Sequence, residues 1–408
     1  MKKYLSFLLP FLMFTNCEQT DSYDPEKQIE QDIKVLASDS LSGREVGTEG
    51  EKMAADYIVN QFQNANLQPK GSNGYLQSFF VSDPDNPHAQ PSEESGLNGI
   101  TGYNVIGIID NPGDELVVIG AHYDHLGMGD FSSLHRGDRA IHNGADDNAS
   151  GVAAMMHLAR VLAKKELNRD VLFIGISGEE KGLWGSNYFT KNPTIDLSKV
   201  NFMINMDMVG RLDEEKGLAT NGTGTSPIWN WLLDEVNADS LKLIKSESGV
   251  GPSDHTSFYL QDIPVLHFFT GQHEDYHKPG DDMEKINMQG ILKVASLIER
   301  MIVLMDDDEK IAFTKTKDQS DNPRFTVTLG VVPDYMFDGT GMRIDGVSED
   351  KPAIMAGIKK GDIVVQLGDS IVSDMMSYMR ALSTFEKGDE TIVIVDRNGE
   401  KFDFKIEF

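Results

Sequence analysis

Apolar residues in this chain fall into two kinds of run. The first kind is continuous: "VIGII" at 105–109, "LVVIGA" at 116–121, "VLFIGI" at 171–176, "FMINM" at 202–206 and "VLHFF" at 265–269. Runs of this length, bounded by Gly, Pro and Asp, predict strands buried on both faces. The second kind recurs at three- and four-residue steps. Ile29, Ile33 and Leu36 form one stripe, and Met53, Tyr57, Ile58 and Phe62 form another, behind a capping box of Thr48 and Glu51. Further helical patterns run from Asn148 to about Ala163, over "PIWNWLLDEV", and over "INMQGILKVASLIERMIVLM". Buried strands alternating with helices predict an α/β fold: a mixed, mostly parallel central sheet with helices on both faces. Residues 83–100 read as a surface loop and 306–323, "DDDEKIAFTKTKDQSDNP", as a linker. Beyond it the pattern changes to short strands with one clear helix, which sets off a small β-rich domain over 324–408 and leaves 18–305 as the larger one.

Composition changes this picture little. The chain has 408 residues, 39% hydrophobic and 25% charged, with a net charge of -28. Such acidity argues against nucleic acid as a partner, because that binding rests on Lys and Arg against phosphate. Residues 1–17, "MKKYLSFLLPFLMFTNC", read as a targeting segment: two lysines, then an apolar stretch too short to span a bilayer. Its end resembles a bacterial lipoprotein signal, with Cys17, the only cysteine, as the lipidated residue. The resemblance implies export to the periplasm or cell envelope and a lipid anchor in a membrane.

Ligands of open α/β sheets bind beyond the carboxyl ends of the strands. His122 and Asp124 follow "LVVIGA", Glu179 and Glu180 follow "VLFIGISG", and Asp207 follows "FMINM". Asp146 and Asp147 lie in "HNGADDNASG", Tyr276 and His277 in "EDYHKPGDD". Oxygen and nitrogen donors converging from distant segments, with no thiolate, suit a catalytic zinc or similar divalent ion. An acid inside an apolar strand, as at Asp207, needs a partner.

Taken in order, "GAHYDH", "NGADDNASG", "GEEKGLWGS", "NMDMVG" and "DYHKPGDD" resemble the co-catalytic dizinc aminopeptidases, the secreted bacterial leucyl type related to glutamate carboxypeptidase and glutaminyl cyclase. The resemblance covers roughly 26–305. It implies two zinc ions, with His122 and Asp207 on one, Glu180 and His277 on the other, and Asp146 bridging. Asp124 would fix the His122 tautomer. Glu179 would take the proton of the attacking water, and Tyr276 would stabilise the oxyanion. Asp147 is expected only to support the loop. His125, His135, His142, His157, His267 and His273 are expected to be ordinary satisfied or exposed histidines. Ser253-Asp254-His255 is too local for a serine relay and no G-x-S-x-G elbow is present, so this stretch reads as structural or pocket-forming.

The implied activity is aminopeptidase cleavage of peptides. A glutaminyl-cyclase-like or carboxypeptidase-like reaction at the same metals is the alternative within enzymes, and a non-catalytic peptide-binding protein the alternative outside them. "TLGVVPDY" and "PAIMAGIKKGDIVVQLGD" resemble a PDZ domain, in which Leu329, Gly330 and Val331 would receive the carboxylate of a peptide C-terminus.

Overall fold

The computed structural model describes residues 23–82, 99–129, 132–306, 309–316, 327–334, 337, 339–347, 351–373 and 375–408. The targeting segment with Cys17, most of the loop at 83–100 and part of the linker lie outside these.

Among the described residues a nine-stranded sheet carries the larger domain. Its strands are β1 (Gln68–Pro69), β2 (Leu76–Val81), β3 (Ile100–Ile109), β4 (Leu116–His122), β5 (Asp170–Ile176), β6 (Val200–Met206), β7 (Leu218–Asn221), β8 (Leu243–Ser246) and β9 (Val265–Phe269), in the order β1-β3-β5-β4-β6-β9-β7-β8 with β2 on β3. The centre, β5-β4-β6-β9, is parallel, and antiparallel pairings flank it at β3-β5 and β9-β7. The central strands are buried along nearly their whole length. Because they run the same way, the chain leaves the sheet at one edge after His122, Ile176, Met206 and Phe269.

Helices cover both faces. On one lie α1 (Pro25–Leu36), α2 (Glu49–Asn64), α3 (Gly151–Leu162), α5 (Trp229–Val236) and α7 (Met288–Leu304), whose apolar residues join one core with Val117, Ile119, Phe173, Ile204 and Leu266. On the other, Phe189 of α4 (Trp184–Lys191) and Phe258 of α6 (His255–Tyr259) pack with Val118, Ile174 and Met203. Alternate strand residues thus feed opposite cores, as the two-residue side-chain period requires. Helix α3 is buried nearly all round, which accounts for its apolar residues on every side.

The expected capping box is half present. The Thr48 hydroxyl accepts the Glu51 amide at 3.3 Å, but the Glu51 carboxylate does not return to the cap. It accepts from the Gly47 amide (2.7 Å), the Tyr103 amide (3.0 Å) and the Ser177 hydroxyl (2.6 Å), and so ties α2 to the exit of β5.

Residues 309–316, read above as linker, run along the larger domain. Ile311 joins its core, and the Thr314 amide donates to the Thr225 carbonyl at 2.8 Å. The second sheet has β10 (Val331–Pro333), β11 (Met342–Val347), β12 (Ile363–Leu367), β13 (Ser370–Ile371), β14 (Glu390–Arg397) and β15 (Glu400–Glu407), with α8 (Pro352–Ala356) and α9 (Met375–Leu382). It encloses its own core, with Ile344, Val364, Val393 and Val395 at the centre.

Candidate metal centre

At the shared edge, His122 ends β4, Glu179 and Glu180 follow β5, and Asp207 follows β6. A fourth element comes from the loop before α3, where Gly144 has φ 55° and the Asp147–Asn148 peptide is cis. A Cβ on Gly144 would lie 2.0 Å from the Asp147 carbonyl oxygen, so the turn needs glycine. Asp281 fixes this loop from below: one carboxylate oxygen accepts both the Asp146 (2.9 Å) and Asp147 (3.0 Å) amides, and the other receives Arg211 at 3.1 Å. Asn148 Oδ1 accepts from the Gly151 amide at 3.0 Å and so caps the start of α3.

These supports turn Asp147 inward, not Asp146. Asp147 Oδ1 lies 3.4 Å from His122 Nε2, which is 3.3 Å from Asp207 Oδ1. Asp147 Oδ2 lies 3.3 Å from His277 Nε2, which is 3.3 Å from Glu180 Oε2. One carboxylate therefore spans two donor clusters. The expected bridge, Asp146, faces away. Its Oδ1 accepts from the Gly210 amide (2.7 Å) and the Ser150 hydroxyl (3.0 Å), and its Oδ2 meets His273 at 3.2 Å. The two neighbours stand in the reverse of the expected roles because adjacent residues on an irregular turn point in opposite directions, and spacing does not say which.

The distances test the fit of metal. Separations of 3.3–3.4 Å between a ring nitrogen and a carboxylate are long for charge-assisted hydrogen bonds. They match the edge of a tetrahedron around zinc, roughly 3.3 Å for ligand bonds of about 2.05 Å. The donors are imidazole nitrogen and carboxylate oxygen: those of His122, Asp147 and Asp207 lie within 4.8 Å of one another, as do those of His125, Asp147 and Glu180, and His277 Nε2 joins the second group at 3.3 Å from both Asp147 and Glu180. The two sets fit a pair of zinc ions. His122 and Asp207 face one position, Glu180 and His277 the other, and Asp147 both.

The unmetallated electrostatics point the same way. Burial pushes the Glu179 carboxyl well above the usual range, and Asp207, Asp254 and Glu180 add to the shift while His122 opposes it. Burial would depress His122 and His277, yet both are held well above an ordinary histidine, His122 by Asp207 and Glu179 and His277 by Glu180 and Asp147. Burial likewise opposes ionisation of Glu180, but His277 draws it down to about 2. Crowded buried carboxylates of this kind are costly without cations to share.

Asp124 is fully buried, 3.6 Å from His122 Nδ1. Its carboxylate also accepts the Glu179 amide at 3.1 Å and the Glu180 amide at 3.4 Å, so it sets the turn that separates the two glutamates. Tyr276 stacks on His277, ring centroids 3.8 Å apart, and lines the same cavity as Glu179 and both donor sets. His125, expected to be unremarkable, has Nδ1 2.7 Å from Glu180 Oε1 and thereby occupies the oxygen turned from His277. The sequence signal for it was its place in "HYDH", three residues past His122. Arg44 is buried in the entry loop and donates to the carbonyls of Tyr123 (2.7 Å), Asn143 (2.6 Å), Gly144 (3.0 Å) and Leu36, joining α1, the β4 exit and the Asp147 loop. Ser253-Asp254-His255 forms no relay: Ser253 Oγ accepts from Asn205 at 2.8 Å, and among the described residues both His255 nitrogens lack hydrogen-bond partners.

Residues 104–302 match peptidase family M28, and 306–408 match the PDZ domain family. The first match lies wholly within the larger domain, hence called the M28 domain. Aminopeptidase YwaD of Bacillus subtilis is 30% identical over 48% of this chain, and leucine aminopeptidase 2 of Trichophyton rubrum 26% over 61%. The matches span 43% and 57% of those relatives' own length. The solved structure of BSAP, a zinc aminopeptidase from Bacillus subtilis, superposes with a TM-score of 0.53 at 18% identity, over 70% of this chain and 98% of that one. The M28 domain thus has the zinc-exopeptidase fold, and the chain adds a β-rich PDZ domain to it. Among the described residues no helix is long and apolar enough to cross a membrane.

In the PDZ domain Leu329 is buried, Gly330 has φ 78°, and Val331 opens β10. Among the described residues strand β10 pairs with β11 alone, which leaves its other edge open there. The Gly330 amide donates to the Thr328 hydroxyl at 3.0 Å.

Proposed function

We propose that this protein is a metal-dependent aminopeptidase. The observation that carries the reading is Asp147 spanning two donor sets, with Glu179 unpaired to either and lining the same cavity. Two zinc ions held there supply Lewis acidity, lowering the pKa of water and polarising a carbonyl. His122 and Asp207 would hold one, Glu180 and His277 the second, and Asp147 would serve both. Glu179 takes the proton from the attacking water and delivers it to the leaving amine. Its burial and its acidic neighbours raise its proton affinity, as a base at neutral pH requires. Asp124 keeps Glu179 and Glu180 pointing apart. Tyr276 borders the reacting carbonyl and is assigned the oxyanion. Cleavage at the N-terminus is favoured by the relatives named aminopeptidases.

The test is Glu179→Gln. Loss of a general base costs about 10²–10⁴-fold in rate, and zinc content should stay at the native level. Near-normal turnover would remove Glu179 from the mechanism. Native enzyme should cleave aminoacyl anilides with a free amine and leave their N-acetyl forms intact; the reverse preference would exclude the aminopeptidase assignment.

The targeting segment supports export with lipid on Cys17. Native protein should partition with membranes and Cys17→Ala protein should not. Leu329–Val331 beside the open edge of β10 supports capture of a peptide's terminal carboxylate; amidating that terminus should abolish binding.

A further inference from the structure

The cavity that holds the acids and imidazoles is also walled by Met208, Asn221, Pro252, His267, Phe269 and Gln272. Half of these are apolar and half carry an amide or an imidazole. Asn221 closes β7 directly opposite His267 on β9. Its side-chain nitrogen lies 3.2 Å from His267 Nδ1. An amide nitrogen only donates, so Nδ1 accepts and the ring proton sits on Nε2. The ring is held flat, stacked on His255 (4.5 Å, 13°) and on Phe269 (6.0 Å, 18°). Among the described residues His267 Nε2 and Gln272 Oε1 are buried without hydrogen-bond partners. The Asn221 oxygen accepts nothing among the described residues.

We propose that these groups make a specificity pocket for a neutral, hydrogen-bonding N-terminal side chain, with glutamine and asparagine accepted ahead of leucine. The inference rests on the aminopeptidase reading and names the substrate class of that site. A leucine side chain entering the pocket leaves the Asn221 and Gln272 oxygens and the His267 N–H unpaired. A carboxamide returns both kinds of bond: its N–H groups meet the Asn221 and Gln272 oxygens, and its C=O meets the His267 N–H. Sites lined by committed polar groups reject a substrate that lacks the matching polar group far more strongly than apolar pockets reject a missing methylene. A charged head gains nothing comparable, because these six wall residues supply no opposite charge.

The experiment measures kcat/KM of the zinc-loaded full chain on p-nitroanilides of Gln, Asn, Leu, Phe, Lys and Glu. Gln or Asn should exceed Leu by about tenfold or more. Asn221→Leu should invert that ratio while zinc content and melting temperature hold. Gln272→Met provides the same comparison should Asn221→Leu fail to fold. Leucine or a charged residue as the best substrate would overturn the proposal, as would a ratio unmoved in a folded, metal-loaded variant. In those cases the aminopeptidase reading survives. No release of nitroaniline from any substrate would instead refute that reading, and the proposal with it.

Discussion

At the scale of single residues, the site turns on which of two adjacent acids faces in. Asp147 stands within 3.4 Å of both histidines, whereas Asp146 is committed to Gly210, Ser150 and His273. Asp147→Asn should therefore lower bound zinc from two per chain to one or fewer by atomic emission, and Asp146→Asn should retain both ions. The opposite result would restore Asp146 as the bridge. The clustering of His122, Glu180, Asp207 and His277 was legible because each stands at a recognisable strand end or loop motif. The choice between Asp146 and Asp147, and the parts of His125, Arg44 and Asp281, were not. They depend on backbone dihedrals and on partners mostly 55 to 135 residues away in the chain. A second residue-scale prediction concerns His157 in α3. Burial, helped by the charge of Arg160, lowers its pKa to about 4 from the usual 6.5, and its Nδ1 pairs with the Tyr23 hydroxyl at 2.8 Å. The unfolded chain then binds the extra proton between those two values, so stability falls as pH drops from 6.5 toward 4 and levels off below. The loss is about 3 kcal/mol at most. His157→Gln should lack this component; denaturant titrations of both proteins at pH 7 and pH 4 should diverge by that order, and parallel curves would show that His157 titrates normally in the fold.

At the scale of elements, the long buried strands and the striped helices appear where the hydrophobic pattern predicts them. Strands β2, β7 and β8 do not announce themselves. They are short, lie toward the sheet margins and mix polar with apolar residues, as in "LIKS", so no periodicity separates them from loop. The Glu51 carboxylate shows the same limit: the local cap motif is correct for Thr48, yet tertiary donors on β3 and after β5 win the glutamate. Helices α1 and α3 are joined by a buried pair, Arg160 Nη1 to Asp32 Oδ2 at 2.7 Å and Nη2 to Oδ1 at 3.0 Å, with the Tyr57 hydroxyl also on Asp32 at 2.7 Å. Removing one partner leaves a buried charge, so Arg160→Met should destabilise by about 3–5 kcal/mol. Adding Asp32→Leu to it should recover part of that loss. A double variant no better than the single would show that the pair is not what holds α1 to α3.

At the scale of the whole molecule, two sheets with separate cores predict two unfolding transitions. Ions bound to the native state alone stabilise it by about 4 kcal/mol each at a thousand-fold excess over Kd. A chelator should therefore lower the transition of the M28 domain by about 10 °C or more and leave that of the PDZ domain in place. A single transition that moves as one would mean that the two cores unfold together. The amino-acid order by itself determined the long central strands, the principal helices and the donor types at the sheet edge, because burial period and side-chain chemistry are local properties. It did not decide which carboxylate spans the two metal positions or what lines the pocket beside them. Those depend on how the exits of parallel strands are brought within a few ångströms of one another, and that distance exists only once the sheet has formed.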